Sequence, residues 1–588
     1  MKKCNSQDII RKIIFFSLAT ACLVYPLLFT GLGIDLTDSG YAVSQGMVAL
    51  EIPENAVTGT WLSNLLGGLW GFLFGYSLFS FRLYGSVLII LSAIIMYCGL
   101  RELIPRVWLV GSLLVAEVML RRLITVGSYN QVFMLGMAMC TVFLVRGLAE
   151  KNRTYLILGG FILALSIFAR IPSVIFIIPY GGALIAEALI SRKGVRDFLL
   201  KCAHTIIGLI LGLLLCFATM AMSGVLDDYL AKAIEIFNTG NSNSSSHGFL
   251  NMIDLIIKNH KQAFGYSMMT IGGLAAGGYV LSKIFRHPAV FRYARLLKGL
   301  MVLFVVVIPL WSKPLSLKNY DLLTIVFLQV SSILLLVCGL FYTSLKTELR
   351  ILSILSTLTI LFIPFGTNNG YRYAVNASFI FLPTLISVLQ QTIKLVPESA
   401  YPINISEKGK WTGSLVPLFL LLSWSIWHFS IFGLTYVYRD SPHERLSAVT
   451  NIPALRFQKT TPERSTELNR VYTTVQELPV PPKALIAYGA IPLLHVILNM
   501  PPMLSNPWPD LESYDIKKIE EGLAYAEREN IFPLIIIAKT NTRRSTWPLK
   551  AEVVDRSQDF KYQMLLSFIS SNHYSLVDSG VHFDIFSR

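Results

Sequence analysis

The sequence predicts a polytopic α-helical membrane protein with about thirteen transmembrane helices and a C-terminal α/β domain outside the membrane. Its composition is 54% hydrophobic and only 14% charged, whereas soluble globular chains carry about 25% charged residues. Apolar runs long enough to cross a bilayer as helices recur up to residue 434. Beyond that point, strand and helix patterns alternate, which is typical of a small α/β domain.

The predicted spans lie near 13–34, 83–100, 107–120, 131–147, 154–170, 173–190, 201–223, 267–284, 299–312, 321–343, 351–365, 374–392 and 413–434. A glycine- and aromatic-rich stretch at 61–79 could be a further span or an interfacial helix. If it does not span and the N-terminus is cytoplasmic, the inner segments hold 23 basic residues and the outer loops 10. A span at 61–79 would reverse that distribution and violate the positive-inside rule, so thirteen spans are predicted.

This topology explains the net charge of +15, because the excess of Lys and Arg lies in the inner segments. We therefore expect membrane lipids, and not nucleic acid, as partners. The prediction divides the chain into a membrane module, 1–434, with a first outer loop at 34–82, and an outer domain, 435–588. A lysine-rich N-terminus without a cleavable signal favours a bacterial inner membrane with the C-terminal domain in the periplasm. No cysteine follows Cys338, so that domain cannot form disulfides.

Within 435–588, the sequence predicts two buried strands, at Ala484–Tyr488 and Pro533–Ala538. It also predicts two helices, at Ile491–Leu498 and Tyr514–Glu529, and a terminal hairpin at Tyr574–Phe586. His495 lies on the first of these helices and is interpreted as a structural residue.

Two carboxylates three residues apart, Asp35 and Asp38, open the first outer loop directly after the first span. Carboxylates at a membrane surface suit a general base or the ligands of a divalent metal ion. Asp38 could instead cap a surface helix, and the two roles can coexist.

Several arginines lie on the outer side, where the topology disfavours them. Arg121 and Arg122 end the third span, and a guanidinium binds phosphate through two parallel hydrogen bonds. Glu117 lies one helical turn before Arg121, so a structural ion pair is the alternative. Arg170 lies between two spans and could bind a ligand or extend to the interface. Arg372 could hold a sugar or phosphate, or belong to an ordinary turn.

The sequence contains no Walker A motif, GxSxG, HExxH or CxxC. Carboxylates at one helix end and arginines at others fit chemistry on an anionic, lipid-linked substrate that enters from the outer leaflet.

The order of short motifs resembles that of the GT-C membrane glycosyltransferases, particularly the protein O-mannosyltransferase and aminoarabinose transferase branch. Asp38-Ser39-Gly40-Tyr41-Ala42 is similar to the branch's Asp-Glu-x-x-Tyr-Ala after the first span. The run from Trp70 to Ser77, followed by Phe81-Arg82-Leu83-Tyr84-Gly85-Ser86, resembles the family's juxtamembrane helix and the arginine that opens its second span. Thirteen spans and an outer C-terminal α/β domain also match the family plan.

The resemblance implies an inverting hexosyl- or pentosyltransferase whose donor is a polyprenyl-phosphate sugar and whose acceptor is a protein, lipid or glycan. Asp38 would be the general base with Asp35 supporting it. Arginines would bind the donor phosphate, namely Arg121, Arg122, Arg170 and Arg372. Polar side chains would line the site, namely Tyr129, Asn130 and Tyr371. The family usually has a second acidic residue where this chain has Asn130. That difference leaves open a divalent metal at Asp35 and Asp38, and no other cofactor is expected.

Two other classes share the polytopic plan. A transporter or lipid-carrier flippase predicts paired broken helices and internal repeats, which the sequence does not show. A lipid-linked oligosaccharide polymerase or ligase would concentrate arginines in large outer loops between late spans. An inactive relative of the transferases is a third alternative, because of Asn130.

Overall fold

The computed structural model describes residues 6–51, 59–192, 194–240, 248–284, 315–367, 369–394 and 422–588. The first eight helices are α1 Ser6–Val24, α2 Asp38–Glu51, α3 Trp61–Phe74, α4 Leu78–Leu100, α5 Arg106–Leu120, α6 Tyr129–Ala149, α7 Arg153–Ala169 and α8 Ile177–Ser191. They are followed by α9 Val195–Met222, α10 Leu226–Gly240, α11 Phe249–Ile284, α12 Leu317–Phe341, α13 Thr347–Phe362, α14 Ser378–Lys394 and α15, at 422–435.

The prediction of a helical membrane protein is confirmed in its coarse form. Among the described residues, eight helical stretches are long and apolar enough to cross a membrane. Two shorter apolar helices, α3 and α7, are also present. The count of thirteen stays a prediction, because the span near 299–312 and the start of that at 413–434 lie outside the described residues.

The stretch at 61–79 contains α3, a helix of 14 residues. At 1.5 Å per residue it is about 21 Å long, shorter than the roughly 30 Å core of a bilayer. It packs against α2 and ends at Gly75, whose φ of +84° breaks the helix before α4. This geometry agrees with a helix that lies along the surface.

The C-terminal region, residues 435–588, contains four further helices, α16 Pro462–Gln476, α17 Leu493–Ile497, α18 Ile516–Arg528 and α19 Phe560–Ser571. Its strands are β1 Ala448–Val449, β2 Lys459–Thr460, β3 Leu485–Tyr488, β4 Leu534–Ala538, β5 Ser575–Ser579 and β6 Phe583–Ser587. The main sheet has the order β3-β4-β6-β5, with β3 and β4 parallel and the other pairs antiparallel. The two predicted strands, the two helices and the terminal hairpin are therefore confirmed, while α16 and α19 were not predicted.

The two faces of this sheet are buried against different parts of the chain. Ile486 and Ile535 pack with helices α18 and α19 in a core that belongs to the C-terminal region alone. Leu485 and Ile536, one residue away and so on the opposite face, pack into a core that also contains Leu36 from the first outer loop. The C-terminal region and the first outer loop therefore share one hydrophobic core.

A close approach of two helices holds this shared core together. Leu493 at the start of α17 donates its backbone N–H to the carbonyl of Leu36, 3.1 Å away. A Cβ at Gly40 of α2 would lie 2.5 Å from the Cβ of Leu493, so only glycine allows this contact. His495 is fully enclosed, its Nδ1 lying 3.2 Å from the carbonyl oxygen of Met500, in agreement with a structural residue.

Candidate functional site

A cavity of about 840 Å³ lies between the ends of several apolar helices and the C-terminal region. Its walls come from α2, α3, the turn before α6, the start of α12, the turn before α14 and the segment that follows α15. Five arginines and two aspartates line it, namely Arg122, Arg372, Arg439, Arg543, Arg544, Asp38 and Asp321. The side chains of the lining therefore carry an excess of positive charge.

Asp38 lies on the wall of this cavity at the first residue of α2. Its Oδ2 accepts a hydrogen bond from the Tyr438 hydroxyl at 2.5 Å and forms an ion pair with Nη2 of Arg439 at 2.9 Å. The side chain keeps 35% of its surface exposed. Burial raises the pKa of Asp38 above its ordinary value, and the Arg439 charge opposes that rise.

Asp35 fixes the turn that presents Asp38 to the cavity. Its Oδ1 accepts hydrogen bonds from the Thr37 backbone N–H at 3.0 Å and the Thr37 hydroxyl at 2.6 Å, and its Oδ2 accepts one from the Ser39 N–H at 2.7 Å. The helix-capping role considered for Asp38 thus falls to Asp35. Asp35 is buried and does not line the cavity.

The geometry does not support a metal site formed by the two carboxylates together. Both oxygens of Asp35 accept hydrogen bonds within its own turn, and only Asp38 lines the cavity. Among the described residues, no group of three or more His, Cys, Asp or Glu side chains is placed to hold a metal ion.

The segment after α15 is held against Asp38 by a buried ion pair. Arg439 has a φ of +50°, a left-handed conformation that costs a non-glycine residue about 1–2 kcal/mol. The next residue, Asp440, accepts hydrogen bonds from the Ile34 N–H and the Thr460 hydroxyl, both at 2.7 Å. Arg464 of α16 pairs with Asp440 at 3.4 Å and donates to the Arg439 carbonyl at 3.0 Å. These contacts fix the position of Arg439.

Asp321 holds two of the predicted phosphate-binding arginines on the opposite wall. Arg122 donates to its two carboxylate oxygens from Nε at 3.0 Å and Nη2 at 3.2 Å. Arg372 donates to Asp321 Oδ2 at 3.0 Å. One carboxylate therefore orients two guanidinium groups, which leaves one excess positive charge facing the cavity.

Arg170 lies behind the cavity wall among aromatic rings. It donates to the Tyr373 hydroxyl at 2.5 Å, and its guanidinium lies 5.5 Å from the centre of the Tyr129 ring. The Tyr373 hydroxyl in turn donates to the Asn130 side-chain oxygen at 2.6 Å. Tyr129, Asn130 and Tyr373 line the cavity, whereas Arg170 does not.

Two predicted site residues lie elsewhere. Arg121 faces a separate small cavity and stacks on Phe29, 4.2 Å from the ring centre. The alternative ion pair of Arg121 with Glu117 is not formed, since Glu117 instead accepts a hydrogen bond from the Cys22 thiol at 3.1 Å. Tyr371 is fully buried and packs on His260, 4.2 Å between ring centres.

The C-terminal region completes the cavity with residues that sequence reasoning missed. The Trp508 ring meets Tyr41 edge-on at 5.8 Å, and the Arg543 guanidinium lies 5.4 Å from the Trp508 ring centre. Their signal in the sequence is weak, because a lone Trp or Arg in a loop has many uses. The Tyr438-Arg439 pair directly after the last predicted span was the detectable signal, being an aromatic–cation pair at a membrane boundary.

Two of the solved structures that match the chain cover almost its whole length. One is ArnT from Cupriavidus metallidurans in the apo state, with 11% identity and a TM-score of 0.40, covering 99% of this chain and 98% of that chain. The other is the same protein bound to undecaprenyl phosphate, with 10% identity and a TM-score of 0.39, covering 98% and 97%. No family model and no curated protein matches the sequence.

The Arg439→Gln variant is expected to shift the acidic limb of the pH–activity profile to higher pH. Asp38 can accept a proton only when it is ionised, and the positive charge of Arg439 lowers its pKa. Without that charge the pKa of Asp38 rises further, so activity is lost at a higher pH as the solution is acidified. The measurement is the rate of the catalysed reaction against pH, with Arg439→Lys as the control that keeps the charge. An unchanged limb in Arg439→Gln would show that Asp38 does not control activity.

Proposed function

We propose that the chain is a membrane glycosyltransferase that moves a sugar from a polyprenyl-phosphate donor to an acceptor hydroxyl at the outer face of the membrane. The observation that carries the proposal is that one carboxylate, Asp38, and an oriented pair of arginines, Arg122 and Arg372, face the same cavity. A base and a cationic phosphate site are the two groups that this reaction needs.

In this proposal Asp38 removes the proton of the acceptor hydroxyl as the oxygen attacks the anomeric carbon. The bond from that carbon to the phosphate oxygen breaks on the opposite side, so the configuration inverts. The leaving polyprenyl phosphate gains negative charge, which Arg122 and Arg372 stabilise by charge-assisted hydrogen bonds. The elevated pKa of Asp38 suits a base that works near neutral pH.

Tyr129 and Asn130 are proposed to contact the donor near its sugar, because both line the cavity beside Asp38 and Tyr373. Asn130 can donate and accept hydrogen bonds but cannot act as a second base at neutral pH. Arg170 is proposed as a positioning residue that acts through Tyr373 and Tyr129. Asp35 is likewise proposed as a positioning residue, because its hydrogen bonds fix the turn that presents Asp38 to the cavity.

The proposal includes the predicted topology of thirteen spans in 1–434, with a cytoplasmic N-terminus and a periplasmic domain at 435–588 in a bacterial inner membrane. It is supported by the placement of the cavity, which lies where the first outer loop and the C-terminal region meet. The sugar would be identified by mass spectrometry of lipids that copurify with the protein. Purified protein carrying only ordinary phospholipids, and unable to release the sugar of any polyprenyl-phosphate donor, would contradict the proposal.

The double variant Arg122→Gln, Arg372→Gln is expected to raise KM for the lipid donor by about 10²- to 10⁴-fold, because each of the two lost charged hydrogen bonds contributes about 1.5–3 kcal/mol. The effect on kcat is expected to be smaller if the sugar still binds in register. The control is Arg146→Gln, an arginine of α6 that bonds the Cys98 carbonyl far from the cavity. Unchanged donor affinity in the double variant would exclude these arginines as the phosphate site.

A further inference from the structure

A second, smaller cavity of about 30 Å³ lies beside the outer end of α5. Four buried side chains that line it have polar atoms without a hydrogen-bond partner among the described residues. Those atoms are Nε of Arg82, Nε and Nη2 of Arg121, Oε2 of Glu117 and the hydroxyl of Tyr25. Such convergence is unusual, because buried polar groups in proteins are almost always hydrogen-bonded.

The charges around this cavity do not balance. Arg82 and Arg121 are 3% and 5% exposed, and Glu117, at 3%, is the one carboxyl group in the lining. Even when Glu117 is ionised, the lining therefore carries at least one excess positive charge. The carboxylates of Asp35 and Asp440 also act on Arg82, but Asp35 accepts hydrogen bonds within its own turn and Asp440 is paired with Arg464. Nη1 of Arg82 donates to two neutral acceptors, the backbone carbonyl of Leu32 and the side-chain oxygen of Gln458. The guanidinium of Arg121 lies over the Phe29 ring. An unpaired buried guanidinium is strongly destabilising unless an anion accompanies it.

We propose that this cavity binds one small monovalent anion of the chloride type, held by Arg121 and Arg82. Three of the unpartnered atoms are N–H groups that can only donate, which selects a ligand that accepts hydrogen bonds. Tyr25 can add a fourth donor. The volume holds about two water molecules or one monatomic anion and excludes a lipid phosphate, so the site is distinct from the cavity that contains Asp38.

The bound anion would stabilise the contact between the membrane helices and the C-terminal region. Arg82 lies in α4, Arg121 ends α5, and the Nη1 group of Arg82 reaches Gln458 next to β2. Gln458 in turn donates to the Thr30 carbonyl at 2.9 Å, directly before the first outer loop. Neutralising the two arginines would thus favour the docked arrangement of these parts.

The test is thermal unfolding of the full chain in lipid nanodiscs at constant ionic strength, with sodium gluconate replaced stepwise by sodium chloride or bromide. We expect a saturable rise in Tm of about 2 °C over 1–100 mM halide, lost in Arg121→Gln and kept in Arg350→Gln. Arg350 is a matched control because it bonds only the carbonyls of Gly339 and Leu340 at an inner helix end. Equal Tm values in gluconate and halide, or a full halide response in Arg121→Gln, would overturn the proposal.

A second measurement covers the case in which Arg121→Gln does not fold. Wild-type crystals grown in bromide should show an anomalous peak within hydrogen-bond distance of the Arg121 Nε atom. Crystals with ordered water and no bromide at that position would show that water alone hydrogen-bonds the polar groups of the cavity, and would overturn the proposal.

Discussion

Replacement of Asp38 by Asn is expected to lower turnover by about 10²- to 10⁴-fold, the usual contribution of a general base. Asn has nearly the same shape, and its side-chain oxygen can still accept a hydrogen bond from the Tyr438 hydroxyl at the position of Oδ2. We therefore expect α2 and the cavity to keep their geometry. It cannot take the proton of the acceptor hydroxyl. The measurement is the rate of release of polyprenyl phosphate from the donor identified by lipid mass spectrometry.

The matched control is Asp228→Asn, in the first turn of α10 and outside the cavity lining. It should turn over at the wild-type rate. Tm and yield after membrane extraction should be the same for both variants and the wild type. Wild-type turnover in Asp38→Asn would remove Asp38 as the base and with it the proposed mechanism.

Replacement of Arg464 by Ala is expected to destabilise the C-terminal region by about 3–5 kcal/mol, because it leaves the buried carboxylate of Asp440 without its cation. The lost contacts include the hydrogen bonds to the carbonyls of Trp547, at 2.8 Å, and Arg439. Since the Arg439 carbonyl is one of the contacts that set the segment beside Asp38, activity should fall together with stability. The loss of stability would be measured by denaturant unfolding in nanodiscs, and the fall in activity by the donor assay.

Arg470→Ala is the control for this variant, because Arg470 lies on the same helix and is also paired, with Glu467 and Asp578, but is only partly buried, whereas Arg464 is fully buried. Partly buried ion pairs remain in contact with solvent and lose less when one partner is removed than fully buried pairs do, so its effect should be smaller than that of Arg464→Ala. A similar loss in both variants would mean that the helix itself, and not the buried pair, fixes the segment beside Asp38.

Local patterns in the sequence were sufficient for two strands, two helices and the hairpin of the C-terminal region, and for selecting Asp38, which lines the cavity. The two parallel strands were found because each is a short, wholly apolar run, and the hairpin because Asp578-Ser579-Gly580 interrupts an alternating pattern. Asp38 was found because a carboxylate directly after a first span is conspicuous. The helices α16 and α19 were not predicted, because α16 has few apolar residues and the exposed face of α19 consists mainly of serines, which are weak helix signals.

The partners of the site residues could not be predicted, because they are distant in the chain. Asp321 lies 199 residues from Arg122, and Tyr438 lies 400 residues from Asp38. Adjacency in sequence was also misleading, since Arg121 and Arg122 follow one another at a helix end yet face different cavities. Successive residues of a helix point about 100° apart, so a pair of arginines need not form one site.

The hydrophobic core shared by the sheet and the first outer loop limits how relatives of this chain can diverge. Leu36 and Gly40 at one end of the sequence pack against Leu493 near the other, so a substitution on one side selects for a matching substitution on the other. Exchange of the C-terminal region between two such proteins should therefore fail unless the loop is exchanged with it. Recombination between such proteins would have to transfer the first outer loop and the C-terminal region together, although Leu36 and Leu493 lie more than 400 residues apart in the chain.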